Sequence, residues 1–389
     1  MSNQISPNFQ LRDAIHALSQ FPRLWWQEDI DFSPYFGTKN YKLFNAARTG
    51  LSEMAKILNL PKDKKIGIPA FSCAVMATPF LSQGYDIEWI DTDENGVISF
   101  EDYERKANTL SLVIAVHTFG QRAPMEKIFE IAREKNIFVV EDGAHFFDTN
   151  LEFCDAKLLS FGREKDVSCV SGGALLWSSQ RPFAQKFQNI FLPHPKKFMA
   201  GRLLCQPFIF SLAIPFWYFG YMGKAFAFLM NKIKVLPRAV TFLEKKGIED
   251  FPKSRLSNAL QAVLRRQMVQ YSERMKHRER LAEAWKKSLL ELFPGQEIIV
   301  PDNFFRVILK TEQAVFIQEE SKKFGFDFRD WDGVPIAPSG TELMHFQYAP
   351  GQCINAEYFS KNYVTFPTNI RTTENDVFRF LTLWKLLHS

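Results

Sequence analysis

Cysteine is scarce in this chain, with five residues in 389 (Cys73, Cys154, Cys169, Cys205 and Cys353), odd in number and without a CxxC pair. That excludes a disulfide framework and argues against a thiolate zinc site, leaving reduced thiols of a cytosolic protein. A compact basic run is also missing, and Lys+Arg 48 against Asp+Glu 43 leaves a net charge of only +5, so no nucleic-acid groove is expected. The N-terminal residues lack a basic region followed by an apolar one, so no secretory signal is read there. Internal repeats and low-complexity linkers are absent. What is present is an ordinary globular balance of 46% hydrophobic and 23% charged residues, enough for two average domains of roughly 100–200 residues each. Aromatic residues stand out at 15%, with Phe at 39, Trp at 8 and Tyr at 10. The chain is greasier than a cytosolic enzyme needs to be.

Apolar residues recur at helical spacing from Tyr41 to Leu58, and KIGIPAF then reads as a buried strand stopped by Pro69. Alternation continues with a strand at Asp86 to Ile90, a strand at Leu110 to Val116, a helix at Pro124 to Lys135 and a strand at Ile137 to Val140. This predicts parallel βα units and a sheet covered on both faces. Beyond Gly172-Gly173 and the strand ALLW, a long polar helix is expected over Ser257 to Leu292, then a mixed α+β region. Ligands of open α/β sheets sit beyond the carboxyl ends of strands. Three polar clusters fall at or near such ends: Asp142 with His145, Ser160 with Lys165, and the turn Ala47-Arg48-Thr49 ahead of the first helix. Taken singly, each is explained as well by a strand-end cap, a surface lysine or a helix-start charge.

Taken in order, they match a family pattern. NAARTGL, IPAFSC, DIEWIDTDENG, VIAVHTFGQRAPM, IFVVEDGAH and SFGREKDVSCVSGGALL follow one another, and VHTFGQ, EDGAH and SFGREK at this spacing are the specific part. The sequence resembles the DegT/DnrJ/StrS-type sugar aminotransferases from about Asn45 to Trp177, and more faintly from Ser254 onward. The resemblance implies the type I fold of enzymes dependent on pyridoxal phosphate (PLP). That fold has a large domain with a mostly parallel seven-stranded sheet over residues 1–250, including an apolar insert at 192–250. A smaller α+β domain over 251–389 completes it.

The resemblance also assigns roles. Lys165 would bind the cofactor aldehyde and move the reaction's proton, and Asp142 would pair with the pyridine nitrogen to keep the ring an electron sink. His145 falls where a Gln or His hydrogen-bonds near the ring oxygen. Phosphate would sit at a helix start, against Ala47, Arg48, Thr49 and Ser160. Arg48 replaces a small hydroxyl residue and reads either as an added charge-assisted phosphate contact, the favoured reading, or as a charge pointing to solvent. Cys73 stands where many relatives place an aromatic ring over the cofactor, and a thiol packs there more weakly. Lys253, ahead of Ser254-Arg255-Leu256, aligns with an Asn that reaches the phosphate from a neighbouring subunit, so a homodimer is implied. His117, Gln121 and the turn Pro367-Thr368-Asn369 are placed near the site by position, with Gln121 read as structural.

Leu203 to Met230 carries a single charge, Lys224. Its length meets the threshold of ~18 apolar residues for a membrane span, but Pro207 and Pro215 interrupt it, and Trp217, Tyr218 and Tyr221 crowd together. A single crossing would separate the small domain from Asp142 and Lys165. Three readings stay open: a dimer interface, a hairpin in peripheral contact with the cytoplasmic leaflet, or a wall of the substrate cleft. Lys196, Lys197, Arg202, Lys232, Lys234 and Arg238 flank it and suit either anionic headgroups, at ~1 kcal/mol each, or a solvated rim.

The activity implied by the resemblance is transfer of an amino group, from glutamate, to a nucleotide-linked keto-sugar in cytoplasmic polysaccharide or glycoconjugate synthesis. Sugar dehydratases of the family that use PLP lack the lysine, so Lys165 favours transamination. The Arg48, Cys73 and Lys253 departures keep an inactive membrane-associated scaffold as an alternative. The apolar insert keeps a PLP enzyme acting on a non-sugar or lipid-linked ketone.

Overall fold

A computed structural model describes residues 8–26, 28–179, 183–213, 240–328 and 331–388. The expected segment Leu203 to Met230 therefore lies outside the described residues from 214 onward. Seven strands form the central sheet: β1 (Tyr41–Phe44), β2 (Lys65–Pro69), β4 (Ile87–Ile90), β5 (Leu110–Val116), β6 (Phe138–Asp142), β7 (Ala156–Ser160) and β8 (Gly173–Trp177). Their order is β1-β8-β7-β6-β5-β2-β4. Strands β4, β2, β5, β6 and β7 pair in parallel, whereas β8 is antiparallel to both β7 and β1. The sheet is mostly parallel, as expected, with β8 alone running against the rest.

The apolar run Leu112–Val116 of β5 follows from burial on two faces. Leu112, Ile114 and Val116 join one core with Phe44, Ile66 and Trp89, while Val113 and Ala115 join another with Ile128 and Ala132. Helices α1 (Leu11–Ser19), α2 (Ser33–Phe36), α3 (Ala47–Leu58), α4 (Thr78–Leu81), α5 (Phe100–Lys106), α6 (Met125–Lys135), α7 (Ala184–Gln188) and α8 (Lys197–Ala213) accompany this sheet.

Helices α9 (Asn258–Val269) and α10 (Tyr271–Leu292) lead to a three-stranded antiparallel sheet, ordered β12-β10-β9, of β9 (Glu297–Ile299), β10 (Arg306–Lys310) and β12 (Tyr363–Pro367). With α11 (Ala314–Lys323) and α13 (Glu374–His388) they surround a separate core of Trp285, Phe328, Phe366 and Phe380, whereas α12 (Ile354–Lys361) turns Ala356 and Phe359 into the core of the large sheet. Short strands β3 (Ser72–Cys73) and β11 (Ile336–Ala337) pair in parallel and stitch this half onto the first.

Two expectations change. Tyr41 to Leu58 is not one helix: Tyr41 and Leu43 pack against one core and Phe44 enters another, so the segment opens as strand β1 and turns helical only at Ala47. The helix expected over Ser257 to Leu292 breaks at Gln270 (φ −91°, ψ 1°). The break lets two segments serve two cores, with Leu260 and Val263 on the large sheet's side and Leu281, Trp285 and Leu289 in the smaller half.

Candidate active site

Parallel strands deliver their carboxyl ends to one edge of the sheet, and β1 delivers the start of α3 to the same edge. There the chain encloses a cavity of about 590 Å³, within the range of small-molecule sites, roughly 300–1,000 Å³. Ala47, Arg48, Cys73, Asp142, His145, Ser160 and Lys165 all line it. Thr49 and Lys253 lie beside it rather than on it, at a smaller recess behind α3.

Lys165 sits in the loop between β7 and β8. Because β8 is reversed, this loop closes on itself: Ser160 is the register partner of Gly173, and the Phe161 N–H donates to the Gly172 carbonyl at 2.9 Å. Asn8 Nδ2 pins the loop further by donating to the carbonyls of Lys165 and Asp166, both at 3.0 Å. A Cβ at Gly162 would lie 3.6 Å from Lys165 Cγ and 3.7 Å from Ser160 Oγ, so the lysine chain and the serine hydroxyl converge on one spot. Among the described residues none pairs with the Lys165 ammonium group.

Asp142 ends β6, buried, with Oδ1 accepting the Ala144 N–H at 2.7 Å. Burial pushes its pKa up, against a counter-pull from the Lys165 charge. A carboxylate so placed calls for a cationic partner. His145 is buried between Phe305 (4.8 Å, 18°) and Phe119 (5.8 Å, 9°), and Nδ1 accepts the Phe119 N–H at 3.2 Å. Burial, then the charges of Lys165 and Arg306, hold its pKa well below the ordinary imidazole value. The ring is neutral, and since Nδ1 accepts, its proton resides on Nε2.

Helix α3 starts without a side-chain cap, so its first N–H groups are left for an anion at the cavity wall. Gly173 makes this approach close: a Cβ there would stand 2.4 Å from the Ala47 backbone. Arg48 forms an ion pair with buried Glu244 and lies 4.5 Å over the Phe251 ring. Thr49 Oγ1 donates to Asn45 Oδ1 at 2.9 Å, and Lys253 reaches Ser52 Oγ (2.7 Å) and Glu249 (2.6 Å) within the same chain. Both brace the start of α3 from behind. Burial raises the Cys73 thiol pKa, so this wall position is an uncharged sulfhydryl.

PLP suits these residues. An ammonium group without a described partner, a buried carboxylate and an uncapped helix start beside a hydroxyl match, in turn, an aldehyde, a pyridinium nitrogen and a phosphate.

Several site residues carried no readable signal in the sequence. Glu244 faces Arg48 across 196 residues of chain. Asp166, next to Lys165, pairs with Arg278 at 2.9 Å and accepts from Asn303 Nδ2 at 2.9 Å, and the same Nδ2 lies 2.6 Å from the His145 carbonyl. Trp331 of the C-terminal half and Met199, Leu203 and Gln206 of α8 complete the wall. His117 turns away from the cavity to Glu141 (2.8 Å), which Lys157 also contacts at 2.8 Å. Gln121 holds the Asn95 carbonyl, and Thr368 holds those of Phe304 and Phe305.

Residues 29–189 match the DegT/DnrJ/EryC1/StrS aminotransferase family. The chain is 26% identical over 127 residues to GDP-perosamine synthase of Escherichia coli O157:H7, covering 31% of this chain and 35% of that protein. It is 23% identical over 152 residues to UDP-4-amino-4,6-dideoxy-N-acetyl-beta-L-altrosamine transaminase of Campylobacter jejuni, covering 36% and 40%. These matches span well under half the length of the curated relatives. The fold is shared along nearly the whole chain: with PseC of Helicobacter pylori, an aminotransferase involved in the biosynthesis of pseudoaminic acid, the TM-score is 0.68 at 16% identity, covering 98% and 97%. With Escherichia coli GDP-4-keto-6-deoxy-D-mannose-3-dehydratase with bound hydrated PLP it is 0.71 at 13% identity, covering 99% of each chain.

Proposed function

We propose, from the match of residues 29–189 to the DegT/DnrJ/EryC1/StrS aminotransferase family, that the chain is a PLP-dependent aminotransferase of that family. Its substrates in this reading are an amino donor, glutamate, and a nucleotide-linked keto-sugar destined for a polysaccharide or related glycoconjugate. The observation that carries it is the convergence of Lys165, Asp142 and Ser160 on one cavity at the start of α3. The dehydratase neighbour shows that the fold alone does not choose the reaction. Lys165 favours amino transfer.

When bound, PLP supplies an electrophilic aldehyde and a ring that accepts electron density. Lys165 Nζ would hold the aldehyde and would be the group that takes and returns the proton of the amino-bearing carbon. Asp142 would pair with the ring nitrogen and keep a proton there. Neutral His145 donates its Nε2 proton as a hydrogen bond, and its packing between two phenyl rings fixes the orientation. The first N–H groups of α3 with the Ser160 hydroxyl would hold the phosphate, and Arg48, neutralised by Glu244, would add donors with little net charge. Lys253 serves the site through α3, and a homodimer working in the cytoplasm completes the reading. The apolar wall of Met199 and Leu203 favours, as a second reading, an acceptor ketone carried on a lipid.

Purified protein mixed with PLP should gain a visible absorption band that glutamate bleaches, and a nucleotide keto-sugar should restore it. Lys165→Ala should lose the band and lower turnover by at least ~10²–10⁴-fold. A wild-type protein that stays colourless would sink the proposal. A band that glutamate bleaches but only a lipid-linked ketone restores would select the second reading.

A further inference from the structure

Helix α8 carries apolar residues on all of its sides, with Lys197, Arg202, Gln206 and Ser211 among them, a pattern closer to that of helices buried on every side than to that of an amphipathic surface helix. One side is indeed buried, with Ala200, Leu204 and Phe210 packed inward. The other is not. Phe198, Arg202, Cys205, Ile209 and Leu212 recur at helical spacing along the outer stripe. Phe198 is 78% and Leu212 51% exposed, and the three between them are partly exposed. The turn Phe21–Trp25 packs beside α8 and adds two more surface rings, Trp25 at 62% and Trp26 at 53% exposure.

Cations accompany these rings. Arg23 lies 4.2 Å from the Trp26 centroid, Lys197 5.3 Å from Trp25 and Arg202 5.5 Å from Phe198. The sequence biases the same region further: from Val167 to Leu243, 77 residues, there is no Asp or Glu, against nine Lys and Arg. The chain's overall composition of 43 acids in 389 residues would place about eight acids in a stretch of that length. Of the acids near the tryptophans, Asp29 is taken by an ion pair with Arg255, while Glu28 is exposed two residues from Trp26. Exposed Trp and Phe interleaved with an excess of bases match an interface that is apolar inside and anionic at its rim.

We propose that the surface made by Trp25, Trp26 and the outer stripe of α8 docks on a bilayer containing anionic phospholipid. The docking is peripheral: no described helix is long and apolar enough to cross a membrane. It assigns to named residues one of the three readings left open for Leu203 to Met230, and it does not depend on the aminotransferase reading. The neighbouring residues Met199, Leu203 and Gln206 of the same helix line the cavity, so membrane contact and the substrate site share one element.

The full chain should co-sediment with phosphatidylcholine–phosphatidylglycerol vesicles and much less with phosphatidylcholine alone. Binding should fall as salt shortens the Debye length from ~10 Å at 0.1 M to ~3 Å at 1 M. Lys197→Gln and Arg202→Gln should each weaken binding roughly fivefold, and Trp25→Ala with Trp26→Ala should weaken it on both lipids. Light scattering on the same variants provides the second measurement. No binding, or equal binding to neutral and anionic vesicles, overturns the proposal. So does a change in oligomeric mass for Phe198→Ser with vesicle binding unaltered, which would assign the face to a second copy of the chain.

Discussion

Asp142 is placed for a bound cation at a cost to the cofactor-free protein. Its burial raises the pKa, so the ionised form costs the fold stability, and Asp142→Asn keeps the acceptor for Ala144 while removing the charge. The variant should raise the melting temperature of cofactor-free protein and lose the extra stability that PLP gives the wild type, both measurable by calorimetry. His145 titrates the other way. Its pKa is lowered well below the ordinary 6.5, so between that value and its folded value the unfolded chain binds the proton and the fold does not. Stability from this group is therefore full above about pH 6.5 and lost as pH falls towards the folded pKa. Melting curves from about pH 8 to 5 should show a smaller acid loss for His145→Gln. Lys165, Asp142 and Ser160 were legible because each lies at or just beyond the end of an apolar run, at a fixed distance from its neighbours. Glu244 and Arg278 were not, because an ion pair between distant segments leaves no local pattern in either.

Strand β8 and helix α3 touch at a point where no side chain fits. Gly173→Ala would press a methyl group against the Ala47 backbone, displacing the helix start proposed to hold the phosphate. A loss of ~1–3 kcal/mol is expected from such overpacking, with weaker PLP binding by titration of the visible band. The loop carrying Lys165 is braced differently. Arg278 of α10 meets Asp166 inside the protein, and Arg278→Met should cost ~3–5 kcal/mol by stranding a carboxylate. Asp166→Leu added to it should return much of that in urea unfolding, because the stranded charge is gone. Strands β5 and β6 could be read directly from their apolar runs. Strand β1 could not: four residues alternate too briefly to compete with the helical periodicity that follows, and only pairing with β8 decides them. The Gln270 break was hidden for a similar reason, since both sides of it favour helix and only the two cores pull them apart.

Across the whole molecule, the cavity borrows walls from both halves, with Trp331 and Ala337 from the C-terminal part facing Lys165 and Asp142. Ligand bound there should stabilise both halves together, by about 2.7 kcal/mol at a PLP concentration one hundred times its Kd. Calorimetry should show one transition moving upward, and a transition that stays behind would mean that one half does not feel the site. The reversed strand β8 has a wider consequence. The twelve residues that carry Lys165 leave the sheet and rejoin it at the same rung, where Ser160 faces Gly173. A segment with coincident ends can be lengthened, shortened or exchanged while every strand keeps its place, which a loop running on into a crossover helix does not permit. The segment that carries Lys165 is thus a cartridge in a fixed frame, and a lineage could change the residues there without refolding anything else.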